Sequence, residues 1–387
     1  MPDIAAAVDL AEIVAFAQKL IQTPSLSGEE QAVADLVERR MRELGYDQVH
    51  RDAMHNVVGV LKGSGGGTSL LFNGHLDHAG VGEMPRPFSG AWMDGAEFCR
   101  SGPVLYGRGA SDMKAGLAAM VQAGGVVKKL GLPLKGDVLV TCVVREEMAR
   151  GEGVKAVLEQ GFAADYAVNA EATNLRVYVG HRGKAELGVT TFGQTSHGGN
   201  PAGGVNAILK MTRFLAALEK SYPLPRHEFL GDATWTVLDI EASPGALTPI
   251  VPDRCRAVID RRFLPEESQE DVLGGLRAVI AGLAAADPEF RAEVELLKWF
   301  PAMFTPPDSP VVRAMQRARR GVLGQEGKVG SWYFGVDGTF LNQAGIPCVG
   351  FGPGDEYLAH TPHDVVPVSH LVPACLVYVQ LITDMCT

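Results

Sequence analysis

The 387-residue sequence predicts an α/β protein: a mixed sheet with helices on both faces, interrupted by a smaller inserted α+β domain. Strand-like and helix-like segments alternate in the first half of the chain, as they do where helices cover a parallel or mixed sheet. After Glu171 this alternation gives way to paired strands with two helices, and it returns near Phe300. One hydrophobic core rarely extends beyond about 250–300 residues, so a chain of this length has room for two domains.

The first half supplies the alternating elements in order. In chain order they are the strand SLLFNGHLD, the helix MKAGLAAMVQAGGVVKKL, the strand DVLVTCVVRE, the helix GVKAVLEQGF and the strand YAVNAE. The carboxyl ends of neighbouring parallel strands meet at one edge of a sheet, and ligands bind at that edge in α/β proteins.

The middle of the chain has a different pattern. Two strands in RVYVGHRGKAELGVTTFGQ precede the helix NAILKMTRFLAALEKS, the strands ATWTVLDIEAS and RCRAVIDRRFL, and the helix EDVLGGLRAVIAGLAA. The proline-rich segment FPAMFTPPDSP is a hinge candidate, and the helix SPVVRAMQRARRGVL and the strand PCVGFG follow it. We expect one domain from residues 1–178 and 298–387, and an inserted domain from residues 179–297.

Composition excludes several classes of protein. The net charge of −10 with mixed signs argues against a nucleic-acid surface, which needs a basic stripe. We expect no segment to reach the roughly 18 apolar residues of a membrane span, and the acidic, amphipathic start is unlike a secretory signal. The six cysteines are scattered without a CxxC pair, which favours buried free thiols. We therefore expect a cytoplasmic protein.

Three predicted strands of the first domain end on a histidine or on acids. These are His75 in NGHLD, the pair Glu146 and Glu147 in VVREE, and Glu171 in NAE. A fourth acid, Asp112 in GRGASDMKAG, precedes a long helix. One polar strand end is routine, but four such sites converging on one edge of a sheet are not.

The spacing of the residues at two of these sites indicates a chemical role. Asp77 faces the same side of the strand as His75, and a metal-bound histidine usually donates its other ring N–H to a carboxylate. At a strand end both Glu146 and Glu147 can reach one site, one as a metal ligand and the other as a general base. A hydrogen-bonded surface histidine and a solvated acid pair are the alternatives.

With these residues and motifs, the chain resembles a family of co-catalytic zinc metallopeptidases and deacylases. Its members include carboxypeptidase G, acetylornithine deacetylase, succinyl-diaminopimelate desuccinylase and aminoacylase. The resemblance runs the length of the chain through NGHLD, YGRGASDMKAG, REE, NAEATN, TSHGGNPAGGVNAI, VPDRCRAVIDRRFLP, GVDGTFLNQAGIPCVGFGPG and EYLAHTPHDVV. Three stretches look closest to a branch of deacylase-like hydrolases linked to selenium metabolism: GHRGKAELGV, EASPG…VPDRC…IDRR and FGPGDEYLAH.

The resemblance implies two Zn²⁺ ions, with Co²⁺ or Mn²⁺ as substitutes, bridged by Asp112 and a water or hydroxide. His75 and Glu171 would complete one metal site, and Glu147 and His360 the other; such mixed ligands suit these metals. The other implied roles are Glu146 as general base, Asp77 as the residue that orients His75, and a cis peptide bond after Asp112.

The resemblance also implies that the inserted domain closes over the substrate and mediates a homodimer. His197, in QTSHGGNP, matches a histidine that stabilises the tetrahedral oxyanion, usually in the partner's active site. Arg262 matches an arginine that grips the substrate carboxylate, while Arg261 points to the opposite face of a regular strand. A loop histidine and solvated arginines are the alternatives from residue type alone.

Three positions depart from the family pattern. His78 stands where relatives have a small hydroxyl residue, Pro249 where many have an asparagine, and Asp364 where many have a glutamate. None of these is an implied metal ligand. They bear on substrate identity, and their roles stay open.

These observations predict a metal-dependent hydrolase that cleaves an amide in an N-acyl amino acid or small peptide. In that reaction a metal-bound hydroxide attacks, with Glu146 as general base. An aminopeptidase or dipeptidase of the same fold is an alternative, although Arg262 favours recognition of a carboxylate. A catalytically silent relative that binds small ligands would be expected to lack a ligand or the base, and all of them are present in the sequence.

Overall fold

The computed structural model describes residues 4–222, 224–246 and 248–387. Residues 1–3 of the predicted amphipathic start lie outside these ranges. The chain forms two compact units: the first comprises Met1–His181 and Met303–Thr387, and the second comprises Arg182–Ala302. The predicted α/β fold class is confirmed.

Ten α-helices occur in the described residues. They are α1 Ile4–Ala7, α2 Leu10–Gln22, α3 Gln31–Glu43, α4 Ala115–Leu130, α5 Glu152–Glu159, α6 Ala207–Ser221, α7 Gln269–Ala286, α8 Pro310–Leu323, α9 Gly338–Gln343 and α10 Leu371–Cys386.

Eighteen β-strands occur in the same part of the chain. They are β1 Gln48–Arg51, β2 Val57–Leu61, β3 Leu70–His75, β4 Ala91–Asp94, β5 Pro103–Tyr106, β6 Val138–Val143, β7 Tyr166–Asn169, β8 Tyr178–His181, β9 Gly183–Phe192, β10 Arg226–His227, β11 Gly231–Asp232, β12 Thr234–Ser243, β13 Arg254–Phe263, β14 Arg291–Phe300, β15 Met303–Phe304, β16 Gly330–Trp332, β17 Cys348–Gly350 and β18 Val365–Pro367.

A nine-stranded mixed sheet forms the centre of the first unit. Its order is β1-β2-β6-β3-β7-β17-β8-β15, and β16 also pairs with β8. The strands β6, β3, β7 and β17 run parallel, whereas the outer neighbours are antiparallel. Strands β3 and β6 are buried along their whole length, as their nearly continuous apolar sequences predict.

Helix α4 packs closely against this sheet. Its residues from Ala115 to Val127 are all buried, and it contacts α2 and α10. Gly116 allows the close approach, because a Cβ atom there would lie 2.2 Å from the backbone oxygen of Ala170. Ala170 directly precedes Glu171, so the packing of α4 limits where the backbone after β7 can lie.

The second unit is a four-stranded antiparallel sheet of order β12-β13-β9-β14 with the helices α6 and α7. The core combines alternate residues of the strands with apolar residues of both helices, among them Phe214, Leu276 and Ile259. Helix α7 begins with a capping box in which Ser268 and Asp271 exchange side-chain and backbone hydrogen bonds. The long strand β14 was not among the predicted elements, although its side chains alternate between more and less exposed positions, the pattern of a half-buried strand.

One described helix, Val368–Cys386, is long and apolar enough to cross a membrane by length and composition. The expectation that no segment reaches this length was therefore wrong, because its few polar residues leave its mean hydropathy high. In the structure its main part, α10, packs against α4 and α8 as a core helix. All six cysteines are free, and five of them are buried, as predicted; Cys99 is exposed.

Candidate metal centre

Adjacent parallel strands bring the predicted acids and histidine together. His75 is the last residue of β3, Glu146 and Glu147 follow β6 in a short 3₁₀ helix, and Glu171 follows β7. Because β6, β3 and β7 are neighbours with the same direction, these side chains share one edge of the sheet. The strand-end reasoning therefore located the cluster.

Asp112 lies in an irregular helical turn, residues 110–114, between β5 and α4. The peptide bond from Asp112 to Met113 is cis, as the resemblance implied. The buried Asp364 carboxylate accepts the backbone N–H groups of Gly109 and Ser111, both at 2.7 Å, and it pairs with Arg108 at 3.2 Å. Asp364, although shorter than the glutamate of many relatives, thus still fixes the backbone directly before Asp112.

The two carboxylate oxygens of Asp112 face two different histidines. Oδ1 lies 3.0 Å from His75 Nε2, and Oδ2 lies 3.1 Å from His360 Nε2. His75 Nε2 also lies 3.1 Å from Glu171 Oε1, and His360 Nε2 lies 2.9 Å from Glu147 Oε2. Asp112 therefore lies between a His75–Glu171 pair and a His360–Glu147 pair.

Asp77 is fully buried beneath this cluster. Its backbone oxygen lies 3.0 Å from His75 Nδ1, and its carboxylate oxygen Oδ1 lies 3.5 Å from the same nitrogen. A proton on Nδ1 leaves Nε2 with a free lone pair toward Asp112. The carboxylate also accepts the backbone N–H groups of Glu146 and Glu147, each at 3.1 Å, and the Ser27 hydroxyl at 2.7 Å.

The electrostatics of the cluster are those of crowded acids. Burial, followed by the charge of Asp112, raises the pKa of Glu171 to about 7. Burial likewise raises the pKa of Glu146 well above its usual value, and the charges of Asp337 and Glu171 add to the rise. Hydrogen bonds to Asp112 and Glu147 raise the pKa of His360 to about 10. The site therefore favours positive charge.

The residues present fit divalent cations. Ligand atoms of His75, Asp112 and Glu147 lie within 4.8 Å of one another, as do those of His75, Glu146 and Glu171. The buried atom Oε2 of Glu171 has no hydrogen-bond partner among the residues that the structure describes, and a cation would satisfy it. Imidazole nitrogen with carboxylate oxygen is a donor set that suits zinc, cobalt or manganese.

The contacts of His78 explain its presence after the HxD segment. Its Nε2 accepts the backbone N–H of Ser25 at 2.9 Å, and its Nδ1 lies 2.8 Å from the backbone oxygen of Ala79. This buried, neutral ring joins the loop between α2 and α3 to the end of β3. The same loop carries Ser27, which donates to Asp77.

Two buried charged residues near the cluster were given no role from the sequence. Asp337, in GVDGTF, is 2% exposed, and its Oδ2 has no hydrogen-bond partner among the described residues. Burial raises its pKa to about 7. The buried Lys114, two residues after Asp112, donates to the backbone oxygen of Thr23 at 2.7 Å. In the sequence, these two residues were visible only as an acid in the glycine-rich segment GVDGTF and as a lysine in SDMKAG.

His197 lies in the second unit, exposed in the loop after β9. Its Nδ1 accepts the backbone N–H of Gly199 at 3.0 Å, so the neutral ring carries its proton on Nε2. The backbone oxygen of Pro249 accepts the N–H of Gly198 at 2.6 Å. Pro249 thus stabilises the loop of His197 through its carbonyl group, a contact that does not depend on the side chain.

Arg261 and Arg262 face opposite sides of β13, as predicted. Arg261 is buried, with its Nη2 paired with Glu267 and its Nε 3.3 Å from the Tyr222 hydroxyl. Arg262 is half-buried. The carboxylate of Asp260 accepts hydrogen bonds from its Nε at 2.7 Å and from its Nη2 at 3.2 Å. Any carboxylate that binds Arg262 would therefore share the guanidinium group with Asp260 or displace Asp260.

Comparison with known proteins adds sequence and fold relationships. The family model described as "Peptidase family M20/M25/M40" matches residues 71–384. An uncharacterised protein of Escherichia coli strain K12, YgeY, is 33% identical over 387 residues, which cover 96% of this chain and 94% of YgeY.

Two further similarities concern a deformylase and an aminopeptidase. The N-formyl-4-amino-5-aminomethyl-2-methylpyrimidine deformylase of Bacillus subtilis is 27% identical, with 97% of this chain and 95% of the deformylase covered. The crystal structure of the aminopeptidase PepT from Bacillus cereus superposes with a TM-score of 0.80 at 22% identity, covering 98% of this chain and 99% of PepT. This last similarity concerns the fold.

Proposed function

Because this chain belongs to peptidase family M20/M25/M40, and is thus a metallohydrolase acting on amide bonds, we propose that it cleaves N-acyl amino acids or small peptides at the centre around Asp112. The observation that carries this proposal is the position of Asp112, with one carboxylate oxygen toward His75 and the other toward His360. A carboxylate so placed can join two cations.

Two Zn²⁺ ions fit the proposed ligand sets, with Co²⁺ or Mn²⁺ as substitutes. One set is His75, Asp112 and Glu171, and the other is Asp112, Glu147 and His360. When bound, such ions polarise the scissile carbonyl group and make water acidic enough to react at neutral pH. Glu171 Oε2, unpartnered among the described residues, supports this assignment.

Glu146 is the proposed general base. Its carboxylate accepts a proton from the attacking water and then gives that proton to the leaving nitrogen. The backbone N–H group of Glu146 is fixed by Asp77, so its side chain starts from a defined point. Burial raises the pKa of this carboxyl group, and cations held by the neighbouring ligands would lower it again, toward the range in which the group can first accept and then return a proton.

His197 and Arg262 are the proposed substrate contacts of the second unit. The Nε2–H of His197 is a hydrogen-bond donor for an oxyanion, and the Arg262 guanidinium suits a carboxylate. We propose that the unit mediates a homodimer in which His197 serves the partner's active site. We also propose a cytoplasmic location and a small-molecule substrate.

A substrate panel tests the proposed function. Protein loaded with zinc or cobalt would be incubated with N-acetyl and N-succinyl amino acids and with dipeptides, and a parallel sample would contain a chelator. We expect hydrolysis of at least one class, lost with the chelator and restored by metal. If both metal sites are filled and no amide is cleaved, the proposal fails.

A further inference from the structure

Two tyrosine rings stack on each other at the protein surface. The ring centroids of Tyr333 and Tyr357 are 5.2 Å apart with an interplanar angle of 17°. The residues are nevertheless 47% and 67% exposed. The pair therefore presents a flat, ordered aromatic surface to solvent, and apolar surface of this kind often marks a binding site.

The turn that carries Tyr357 is tied at both ends to the neighbourhood of Asp112. Before the tyrosine, the backbone oxygen of Asp355 accepts the hydroxyl of Ser111, the residue that precedes Asp112, at 3.0 Å. After it, His360 lies 3.1 Å from Asp112 Oδ2. Tyr357 and His360 are three positions apart in the sequence, and such a segment spans at most about 11 Å.

Tyr333 is fixed to the same region from another direction. Its hydroxyl donates to the backbone oxygen of Glu356 at 3.2 Å. The preceding residue, Trp332, donates from Nε1 to the backbone oxygen of Ala172 at 2.9 Å, directly after Glu171. Burial raises the pKa of the Tyr333 hydroxyl, and the charges of Tyr357, Glu356 and Asp112 add to the rise.

We propose that Tyr333 and Tyr357 form the binding surface for a planar aromatic or heteroaromatic ring of the substrate. This inference rests on the proposed amide hydrolysis and narrows it to amides that carry such a ring on the acyl or the amine side. A flat ring can stack on the outer face of the pair in the offset parallel arrangement that aromatic groups favour. An aliphatic group gains less from this surface, because it cannot stack.

Matched substrates and variants test this surface. The substrate pairs are N-benzoylglycine with N-acetylglycine, and N-acetylphenylalanine with N-acetylleucine. The variants are Tyr333→Leu and Tyr357→Leu, with Tyr333→Phe and Tyr357→Phe to keep the rings. Trp92→Leu, at a 50% exposed aromatic residue of β4, controls for loss of an exposed ring elsewhere.

We expect the wild type to prefer the ring-bearing member of at least one pair. Each leucine variant should raise KM for that substrate by about three- to tenfold, the range of one aromatic pair. The KM for the aliphatic member should change by less than about twofold in every variant, and Trp92→Leu should leave both KM values within the same limit. The phenylalanine variants keep the rings and should therefore keep the preference for the ring-bearing member. Equal losses for both members of each pair, or no ring preference in the wild type, would overturn the proposal.

A binding measurement separates this inference from the proposed reaction. Benzamide would be titrated into the full-length protein with and without metal, and binding would be followed by NMR of the ligand. Saturable binding that the leucine variants weaken supports the surface even if no amide is hydrolysed, a result that would overturn only the proposed reaction. Hydrolysis without ring preference, with no benzamide binding, would overturn only the surface.

Discussion

The carboxylate of Asp77 accepts the backbone N–H of Glu146 at 3.1 Å. A buried acid behind β3 thus fixes the main chain of the proposed general base, which follows a different strand. The same carboxylate accepts the N–H of Glu147 and lies 3.5 Å from His75 Nδ1. Asp77 therefore connects both proposed metal sites with the base.

Replacing Asp77 by asparagine tests this connection. An amide NH₂ would face at least one of the donors that the carboxylate now accepts. We expect metal affinity, turnover or both to fall by about 10- to 100-fold, the usual effect of losing a group that orients metal ligands. Calorimetric metal titration and turnover would measure this. Asp165→Asn is the control, because Asp165 accepts the N–H and hydroxyl of Ser69 at an exposed site; equal effects of both changes would contradict the assignment.

Glu146→Gln and Glu147→Gln separate the proposed base from the proposed ligand. We expect the first change to lower turnover by about 10²- to 10⁴-fold, the range for loss of a general base, while metal content stays normal. The second should lower metal content, because Glu147 is a proposed ligand. Elemental analysis and turnover on the same samples would check both. Near-normal turnover of Glu146→Gln with both metals bound would refute its role.

His78 predicts a pH dependence of stability. Burial, with the charges of Lys114 and Arg108, lowers its pKa to about 4. The unfolded chain, with a histidine pKa near 6.5, binds this proton first as the pH falls. The neutral ring therefore contributes stability that is fully present above about pH 6.5 and is lost as the pH falls toward 4.

The variant His78→Gln measures this contribution by difference. We expect the wild type to exceed the variant in free energy of unfolding at pH 7.5, and this excess to shrink as the pH falls from 6.5 to 4. Urea unfolding with a chelator present would show it. His370, whose pKa burial also lowers to about 4, is common to both proteins and cancels. An excess that stays constant with pH would disprove the prediction.

Gly116→Ala and Gly321→Ala form a matched pair. A Cβ atom at Gly116 would lie 2.2 Å from the Ala170 oxygen, so α4 or the end of β7 must shift, at a cost of about 1–3 kcal/mol. At Gly321, in α8, a Cβ atom meets nothing within 4 Å, and alanine should raise stability by about 0.5–1 kcal/mol. Denaturant unfolding would measure both changes, and equal effects of the two substitutions on stability would rule out this packing argument.

We also expect Gly116→Ala to lower metal affinity, because Ala170 directly precedes the proposed metal ligand Glu171.

The elements that sequence periodicity describes were predictable. Strand ends identified His75, Glu146 and Glu171, because a strand that stops on polar residues leaves a visible change in the sequence. The parallel order of β6, β3 and β7 then brings these residues together. The α/β class with an inserted unit followed from the same alternation.

Contacts between irregular segments were not predictable from periodicity. The loop of Ser25 meets His78 across 53 positions of sequence, and Asp364 holds Ser111 across 253. Neither segment has a repeat that marks its partner. Asp337 is similar, because its burial beside the cluster depends on how α9 meets the sheet. Only the folded chain shows these relationships.

The order of strands in the main sheet has a consequence for biosynthesis. Strand β17, made after residue 347, lies between β7 and β8, and His360 emerges later still. A nascent chain therefore carries an unfinished sheet with open strand edges, which are sites of aggregation and chaperone binding. The continuous segment Arg182–Ala302 is complete earlier. The proposed metal site that includes His360 can therefore be completed only late, after most of the polypeptide has left the ribosome.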